Sequence, residues 1–80
     1  MLYKIGDKVT IRSDLNYRER CKTEVEGEMD GVALEMVNFA GKEVTIYRYY
    51  GNTGYLIKED DHHYSWCVGM FEINNENEVI

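Results

Sequence analysis

The sequence contains no proline, only two cysteines and no long apolar run. No stretch approaches the length that a membrane-crossing helix requires, so we expect no membrane association. Residues 1–11 carry three charged side chains and therefore lack the apolar segment of a secretory signal peptide. We accordingly expect a cytoplasmic protein, in which Cys21 and Cys67 are reduced thiols.

The chain is also short. A sequence of 80 residues gives one domain with a thin core, because a chain of this length buries only roughly 60% of the surface that it exposes when unfolded. A deep catalytic cleft between two lobes is not expected, and no glycine-rich turn that could form an oxyanion hole precedes Cys67. We predict one domain over residues 1–73, a polar tail over residues 74–80, and no enzymatic activity.

Positive charge is scarce: 9 Lys and Arg stand against 15 Asp and Glu, a formal net charge of -6. Residues 24–35 contain five acids and residues 59–80 contain six, and neither stretch contains Lys or Arg. A chain of this charge is soluble and repels nucleic acid at long range. The acidic stretches are either a solvated surface or a face presented to a basic partner protein, and charge alone does not distinguish the two.

One basic patch runs against this trend, between residues 12 and 22. Such a patch would suit a nucleic acid, although an acidic run follows it directly. We therefore expect no nucleic-acid ligand and keep a nucleic-acid-associated function as an alternative. The patch comprises Arg12, Arg18, Arg20 and Lys22, with Tyr17 among them.

The first half of the chain predicts one strand, a long loop and a short helix. Residues 8–12 alternate apolar and polar side chains, which is the period of a half-buried strand. Residues 13–31 are polar without a sustained period and predict a long loop, with room for a short irregular strand. Residues 32–40 are rich in helix formers, with Asp30 as candidate N-cap and Gly41 as candidate stop. This helix is expected to cover the core as a lid.

The second half predicts short strands joined by tight turns. Residues 42–50 are the clearest strand, and residues 55–58 return from it after a Gly-Asn-Thr-Gly turn. Further strands are predicted at residues 63–66 and 71–73. The predicted fold class is therefore mainly β: about five short strands in a small, partly open barrel, with one short helix in a long loop.

Several segments of the chain, taken together, are similar to known proteins. They are GDKVTIRSDL at residues 6–15, MVNFAGKEVTI at 36–46, YLIKED at 55–60, Trp66, and MFE at 70–72. These segments resemble a family of small phage and prophage proteins of the YorP type. The resemblance implies an SH3-like barrel and a viral or prophage origin, and hence a location in the cytosol of a host cell. It implies no catalytic residue, because the family pattern contains none that could be carried over.

The stretch EDDHHYSWCVGMFE, residues 59–72, places two histidines and a cysteine close together. A structural zinc site needs about four ligands in a tetrahedral array. The chain has no CxxC or HxxxH pair, and adjacent histidines on a strand point to opposite faces. No cofactor is therefore expected, and a small zinc-binding module is kept as an alternative. Its candidate ligands are Cys21, His62, His63 and Cys67.

Aromatic side chains lie beside the acidic residues of the same region. SH3-like barrels often bind partners through exposed aromatics, and acids beside them suit a basic peptide. The competing interpretation is that Trp66 and many of the tyrosines form the wall of the core. The candidate protein-binding residues are Tyr49, Tyr50, Glu59, Asp60, Asp61, Tyr64 and Trp66.

The leading functional hypothesis is a non-enzymatic, phage-derived module that binds a protein and is itself a monomer or weak homodimer. A sharper version makes it an inhibitor of a host nucleic-acid-handling or defence system, of the anti-CRISPR kind, with a basic host protein as its partner. At the residue level, we expect residues 59–62 to form a solvent-facing tip. Trp66, Met70 and Phe71 are expected in the core.

Overall fold

The computed structural model describes residues 1–73, and the tail predicted at residues 74–80 lies outside them. The described residues form a mainly β molecule with five strands in two sheets and a short helix in the long connection before the longest strand, as predicted. In this part of the chain, no helix combines the length and the hydropathy needed to cross a bilayer. The strands are β1 (Lys8–Thr10), β2 (Arg20–Lys22), β3 (Met29–Gly31), β4 (Glu43–Tyr50) and β5 (Gly54–Ile57), and the two 3₁₀ helices are Leu34–Phe39 and Val68–Met70.

The larger sheet is built around β4, with β1 on one side and β5 on the other, all antiparallel. Val9 of β1 lies opposite Val44 of β4. Between Ile46 and Arg48 the pairing with β5 shifts by one residue, so Tyr47 forms a bulge in β4. A bulge bends its strand and increases the local twist, which lets this short sheet curl around the core.

Two predicted strands, residues 63–66 and 71–73, are reduced to single bridges, so their predicted extent is wrong. Trp66 pairs with β5 through one bridge, and Phe71 pairs through another with the residue that follows β1. Both segments thus lie along edges of the larger sheet. The second 3₁₀ helix interrupts the chain between the two bridges, and before Trp66 the backbone N–H groups of His63 and Tyr64 donate to the Asp60 carboxylate instead of a neighbouring strand.

The segment predicted as a long loop, residues 13–31, contains a second, two-stranded sheet. β2 and β3 pair antiparallel, with Cys21 opposite Asp30. The sequence pattern does not indicate this hairpin because a contact from far along the chain supports it. A Cβ at Gly69 would lie 2.7 Å from the backbone nitrogen of Lys22, so only glycine lets the second 3₁₀ helix approach β2 this closely.

The helix predicted at residues 32–40 is present in a shorter and tighter form, as the first 3₁₀ helix, with Met36 buried. Asp30 does not cap it, because that residue lies in β3. The Ala33 N–H instead donates to Met36 Sδ at 3.2 Å. Gly41 follows the helix with a φ of +79°, a left-handed conformation that glycine adopts without strain, and it ends the helix as predicted.

One apolar core draws on both sheets and both 3₁₀ helices. Trp66 and Met70 are 0% exposed and Phe71 is 2% exposed, which confirms their predicted place in the core. A domain of this size has few such residues, so each contributes a large fraction of the apolar burial that stabilises it. The other buried apolar residues are Val9, Ile11, Leu15, Cys21, Val32, Met36, Val44, Ile46, Tyr55, Ile57 and Cys67.

Candidate acidic–aromatic cleft

Asp60 is the residue around which the turn after β5 is organised. Its Oδ2 accepts hydrogen bonds from the indole Nε1 of Trp66 at 2.9 Å and from the backbone N–H of Tyr64 at 3.1 Å. Its Oδ1 accepts from the backbone N–H of His63 at 3.2 Å. The prediction of a purely solvent-facing Asp60 is therefore wrong: the side chain is half-buried and satisfies the one polar group of a buried tryptophan.

Glu59, the first residue of the predicted tip, is also engaged. Its Oε1 accepts from the Thr45 backbone N–H at 2.8 Å, and its Oε2 accepts from the Thr45 hydroxyl at 3.0 Å. Partial burial opposes ionisation, but the hydrogen bonds from Thr45 outweigh it and lower the pKa of Glu59 below its ordinary value. Both carboxylate oxygens thus tie the turn to β4, so Glu59 has little left to offer a partner.

Asp61 and His62 form the exposed part of the turn. Both have left-handed backbones, with φ of 59° and 62°, a conformation in which Asp and His are enriched among non-glycine residues. The Asp61 N–H donates to the Lys58 carbonyl at 3.1 Å and closes the turn. Within residues 1–73 the Asp61 carboxylate accepts no hydrogen bond, and both side chains are exposed, as the prediction of a solvent-facing tip requires.

The turn faces the first 3₁₀ helix across a cleft of about 400 Å³. This volume is at the lower end of the range for ligand pockets. The Tyr64 hydroxyl donates to Glu35 Oε1 and so joins the two walls. The cleft is lined by Glu35, Asn38, Phe39, Asp60, Asp61, His63 and Tyr64, and we refer to it below as the acidic–aromatic cleft.

The aromatic rings of this cleft are held by neighbouring rings. Phe39 meets Trp66 edge-on, with ring centroids 5.8 Å apart and an interplanar angle of 77°. His63 meets Tyr64 edge-on at 4.6 Å and 80°. The Phe39 ring already attracts one cation, because Lys42 Nζ lies 5.4 Å from its centroid, although Lys42 does not line the cleft. Edge-to-face contacts restrain ring rotation, so the lining is ordered before any ligand arrives.

The cleft is rich in carboxylates. Three of them line it, together with one histidine, His63, and no Lys or Arg does. Among residues 1–73, ion pairs involve only Arg12 and the N-terminal amine, and neither pairs with a carboxylate of the cleft. The hydrogen bond to Glu35, with a smaller effect of burial, raises the pKa of Tyr64 above its ordinary value, because the neutral hydroxyl is the donor in that bond.

The predicted protein-binding residues do not form a single surface. Asp60, Asp61 and Tyr64 share the cleft, but Trp66 is 0% exposed, so its prediction as a surface residue is wrong. Asp60 explains the burial of the indole, since it supplies the acceptor that the ring nitrogen needs. The two neighbouring tyrosines of β4 lie elsewhere: Tyr49 donates to the carbonyl of Tyr3, and Tyr50 is 63% exposed without lining the cleft.

Sequence reasoning missed the opposite wall. Glu35 and Phe39 belong to the helix that was expected only to cover the core. A signal was present, because Glu35 closes the acidic run that lacks Lys and Arg. Nothing local, however, indicates that this helix faces the turn after β5.

The alternative zinc site does not assemble. Cys21 and Cys67 are buried near each other, with Cys67 Sγ 3.7 Å from the Cys21 carbonyl. Burial raises the pKa of Cys67 to about 11, which disfavours the thiolate that binds metal. His62 instead stacks on Tyr47 at 3.9 Å, and in the described part of the chain no three potential ligands come together.

The first residue of the basic patch, Arg12, makes its contacts within the chain. Arg12 donates to Asp14, to Glu19 and, at 3.0 Å, to the Gly69 carbonyl. These carboxylates, through their hydrogen bonds, raise the pKa of Arg12 further above its already high value. One of the four basic groups is therefore neutralised, which weakens the nucleic-acid alternative.

A second, wider groove of about 1220 Å³ lies on another part of the surface. Its lining is apolar at Phe71 and Ile73, but it carries charges of both signs, such as Lys22 and Glu72. Mixed charge gives it no preference for either sign, in contrast to the acidic–aromatic cleft.

Comparison with protein-family models, with curated proteins and with solved structures finds no match for this chain.

Proposed function

We propose that this chain is a non-enzymatic binding module whose acidic–aromatic cleft receives a basic side chain of a partner protein. The observation that carries the proposal is the composition of the cleft: three carboxylates and the rings of Phe39 and Tyr64 line it, together with His63 and with no Lys or Arg. The chain itself supplies one cation nearby, Lys42 over Phe39, but within residues 1–73 no basic residue pairs with a carboxylate of the cleft, so a cation for these carboxylates comes from another molecule.

The physical support comes from two effects that act together. A cation over an aromatic face gains about 0.5–1 kcal/mol at exposed sites and more when it is desolvated. Hydrogen bonds from a charged donor to a carboxylate are stronger than neutral ones. The formal net charge of -6 adds long-range attraction for a basic partner, which raises the rate of encounter.

The burial and the raised pKa of the two cysteine thiols support a function without catalysis. Cys67 is 0% exposed and Cys21 is 3% exposed, and burial raises the pKa of both. A nucleophilic cysteine needs an exposed, low-pKa thiol. Neither cysteine fits that role.

The resemblance to small phage and prophage proteins extends the proposal. Small β-rich folds of this kind are compatible with an SH3-like barrel. We propose a phage or prophage protein in the host cytosol, acting on a host protein that handles nucleic acid, in the manner of an anti-CRISPR inhibitor. Proteins that bind nucleic acid expose Lys and Arg to neutralise phosphates, and such a surface is complementary to the cleft.

The test compares two double variants of equal charge. Glu35→Gln with Asp61→Asn neutralises both walls of the cleft, whereas Glu26→Gln with Glu28→Gln neutralises two exposed acids of the β2–β3 hairpin. Binding of a short arginine- and lysine-containing peptide is measured by calorimetry. We expect the cleft variant to bind about tenfold more weakly, since hydrogen bonds to charged groups are lost, and the hairpin variant to bind like the wild type. Equal weakening of the two would reduce the effect to net charge and overturn the proposal.

A further inference from the structure

We infer that the acidic–aromatic cleft selects arginine over lysine; this rests on the proposed function and names the side chain that the cleft takes. Some carboxylate oxygens of the cleft already accept hydrogen bonds, and others have no donor among the described residues. Both oxygens of Asp60 accept hydrogen bonds from the turn itself. Glu35 Oε1 accepts from the Tyr64 hydroxyl. Within residues 1–73, Glu35 Oε2 and both oxygens of Asp61 have no donor, so the free acceptors lie on both walls.

A guanidinium group matches this arrangement better than an ammonium group. It is planar and presents five N–H donors in a fixed fork, so one group can donate to two carboxylates at once. An ammonium is a compact charge that retains its water more strongly, and it reaches separated acceptors only one bond at a time.

The rings of the cleft favour the same choice. A guanidinium stacks flat on an aromatic face, and it is more weakly hydrated than an ammonium, so stacking costs it less desolvation. Tyr64 is fixed by its hydroxyl bond to Glu35 and by the edge of His63. Phe39 is fixed by the edge of Trp66, and since Lys42 Nζ already lies 5.4 Å from its centroid, Tyr64 is the ring available to a guanidinium. Because these side chains are already ordered, binding loses little of their conformational entropy.

The volume sets how much of a partner can enter. At about 400 Å³ the cleft is small for a folded segment and suited to one long side chain. Asn38 also lines the cleft, and its side-chain amide oxygen is a further acceptor for a guanidinium N–H.

The experiment uses three short capped peptides that differ only at a central residue: arginine, lysine or citrulline, the neutral analogue of arginine. Calorimetry measures their binding to the wild-type protein. We expect arginine to bind about fivefold more tightly than lysine, the value of one additional hydrogen bond, and citrulline to bind most weakly. Asp61→Asn should bring the arginine-to-lysine ratio close to one, while the exposed control Glu26→Gln should leave it unchanged.

The outcomes separate the two proposals. If lysine binds as tightly as arginine and both bind better than citrulline, the selectivity is overturned and the cation site stands. If citrulline binds as well as arginine, or if no peptide binds, the proposed function fails together with the selectivity. If Asp61→Asn keeps the wild-type ratio of arginine to lysine affinity, the guanidinium does not bind carboxylates of both walls, and the inference is overturned. Thermal melts of each variant verify that the fold is intact.

Discussion

Two clusters of carboxylates on this molecule differ in whether a basic side chain of the same chain pairs with them. In the first, Arg12 donates to Asp14 at 3.0 Å and to Glu19 at 2.8 Å. In the second, the acidic–aromatic cleft, Glu35 and Asp61 lie on opposite walls, and no Lys or Arg is in the lining. Within residues 1–73 the carboxylates of the first cluster are paired with a basic residue, whereas those of the second are not.

The difference shows why charge alone does not identify a binding surface. A carboxylate that already has its donors offers a partner little, because any new bond replaces an existing one. The same distinction holds within one turn: Asp60 accepts three hydrogen bonds from the chain, and its neighbour Asp61 accepts none from the described residues. Only carboxylate oxygens without donors are available for recognition, as on Asp61 and at Glu35 Oε2.

The largest expected effect comes from truncating a side chain of the core. Phe71 is 2% exposed and its ring meets Tyr3 and Tyr55 edge-on. Phe71→Ala should cost about 3–5 kcal/mol, from a total stability of about 4–12 kcal/mol for a chain of this length. Urea melts measure the loss, with Leu34→Ala, at a residue 64% exposed, as the control that should change little. A Phe71→Ala variant as stable as Leu34→Ala would contradict the core described here.

The next effect separates two adjacent carboxylates. Asp60→Ala leaves the buried Trp66 N–H without its acceptor and should cost about 1–3 kcal/mol of unfolding free energy. Asp61→Ala should cost no more than about 0.5 kcal/mol, the range of ordinary surface positions. Urea melts of the two variants decide the matter. Equal losses in both would mean that the hydrogen bonds of Asp60 do not stabilise the turn.

A smaller effect tests the completed cluster. Arg12→Met removes the hydrogen bonds to Asp14 and Glu19 and the bond to the Gly69 carbonyl, and should cost about 1 kcal/mol because the ion pairs are partly screened by solvent. Melts at neutral pH in low and in high salt measure it. The loss should shrink in high salt, and a salt-independent loss would show that packing of the arginine stem, rather than pairing, stabilises this region.

The same cluster predicts a response to acid. The hydrogen bonds from Arg12 hold the pKa of Asp14 and of Glu19 below the ordinary values of 3.8 and 4.5. The folded state therefore binds protons more weakly than the unfolded state, and the stability that this gives at neutral pH is lost as pH falls below about 4.5. Arg12→Met should lose less stability over that range than the wild type. Melts between pH 6 and pH 3 measure the two slopes, and equal slopes would exclude Arg12 as the cause.

The smallest effect concerns the cleft. The bond to Glu35 is the main cause of the raised pKa of Tyr64, so Glu35→Gln should return that pKa toward its ordinary value of 10.0. Carbon NMR of the tyrosine rings over an alkaline pH series measures it. Tyr55 is the internal control, because burial and Glu24 raise its pKa to about 12 independently of Glu35. An unchanged Tyr64, or a shift shared by Tyr55, would show that the two walls are not joined as described.

Sequence reasoning predicted the parts of this fold that depend on local pattern. The β4–β5 hairpin follows from β-forming residues around a turn, and the burial of Trp66 and Phe71 follows from their apolar surface. The β2–β3 hairpin was missed because its strands are polar and its support comes from Gly69, which packs on Lys22 from far along the chain. Contacts of that kind have no local signature.

For the same reason, only one of the two walls of the candidate site was predicted from the sequence. Asp60, Asp61 and Tyr64 come from one continuous stretch, so their common location could be predicted from the sequence. Glu35 and Phe39 come from the first 3₁₀ helix, which only the tertiary fold brings opposite them. The structural role of Asp60 was hidden as well, because a carboxylate in a turn is usually solvated, and only the position of the Trp66 indole reveals its partner.

The most direct measurement locates a basic peptide on the protein. Nitrogen–proton NMR spectra of the wild-type protein are recorded while a short arginine-containing peptide is added. We expect shifts confined to residues that line the acidic–aromatic cleft, at the amides of Glu35, Asp60, Asp61, His63 and Tyr64. Asp14 and Glu19 should be unmoved because Arg12 already satisfies their carboxylates. Shifts centred on Asp14 and Glu19, or spread evenly over all the acidic residues, would contradict the proposed site.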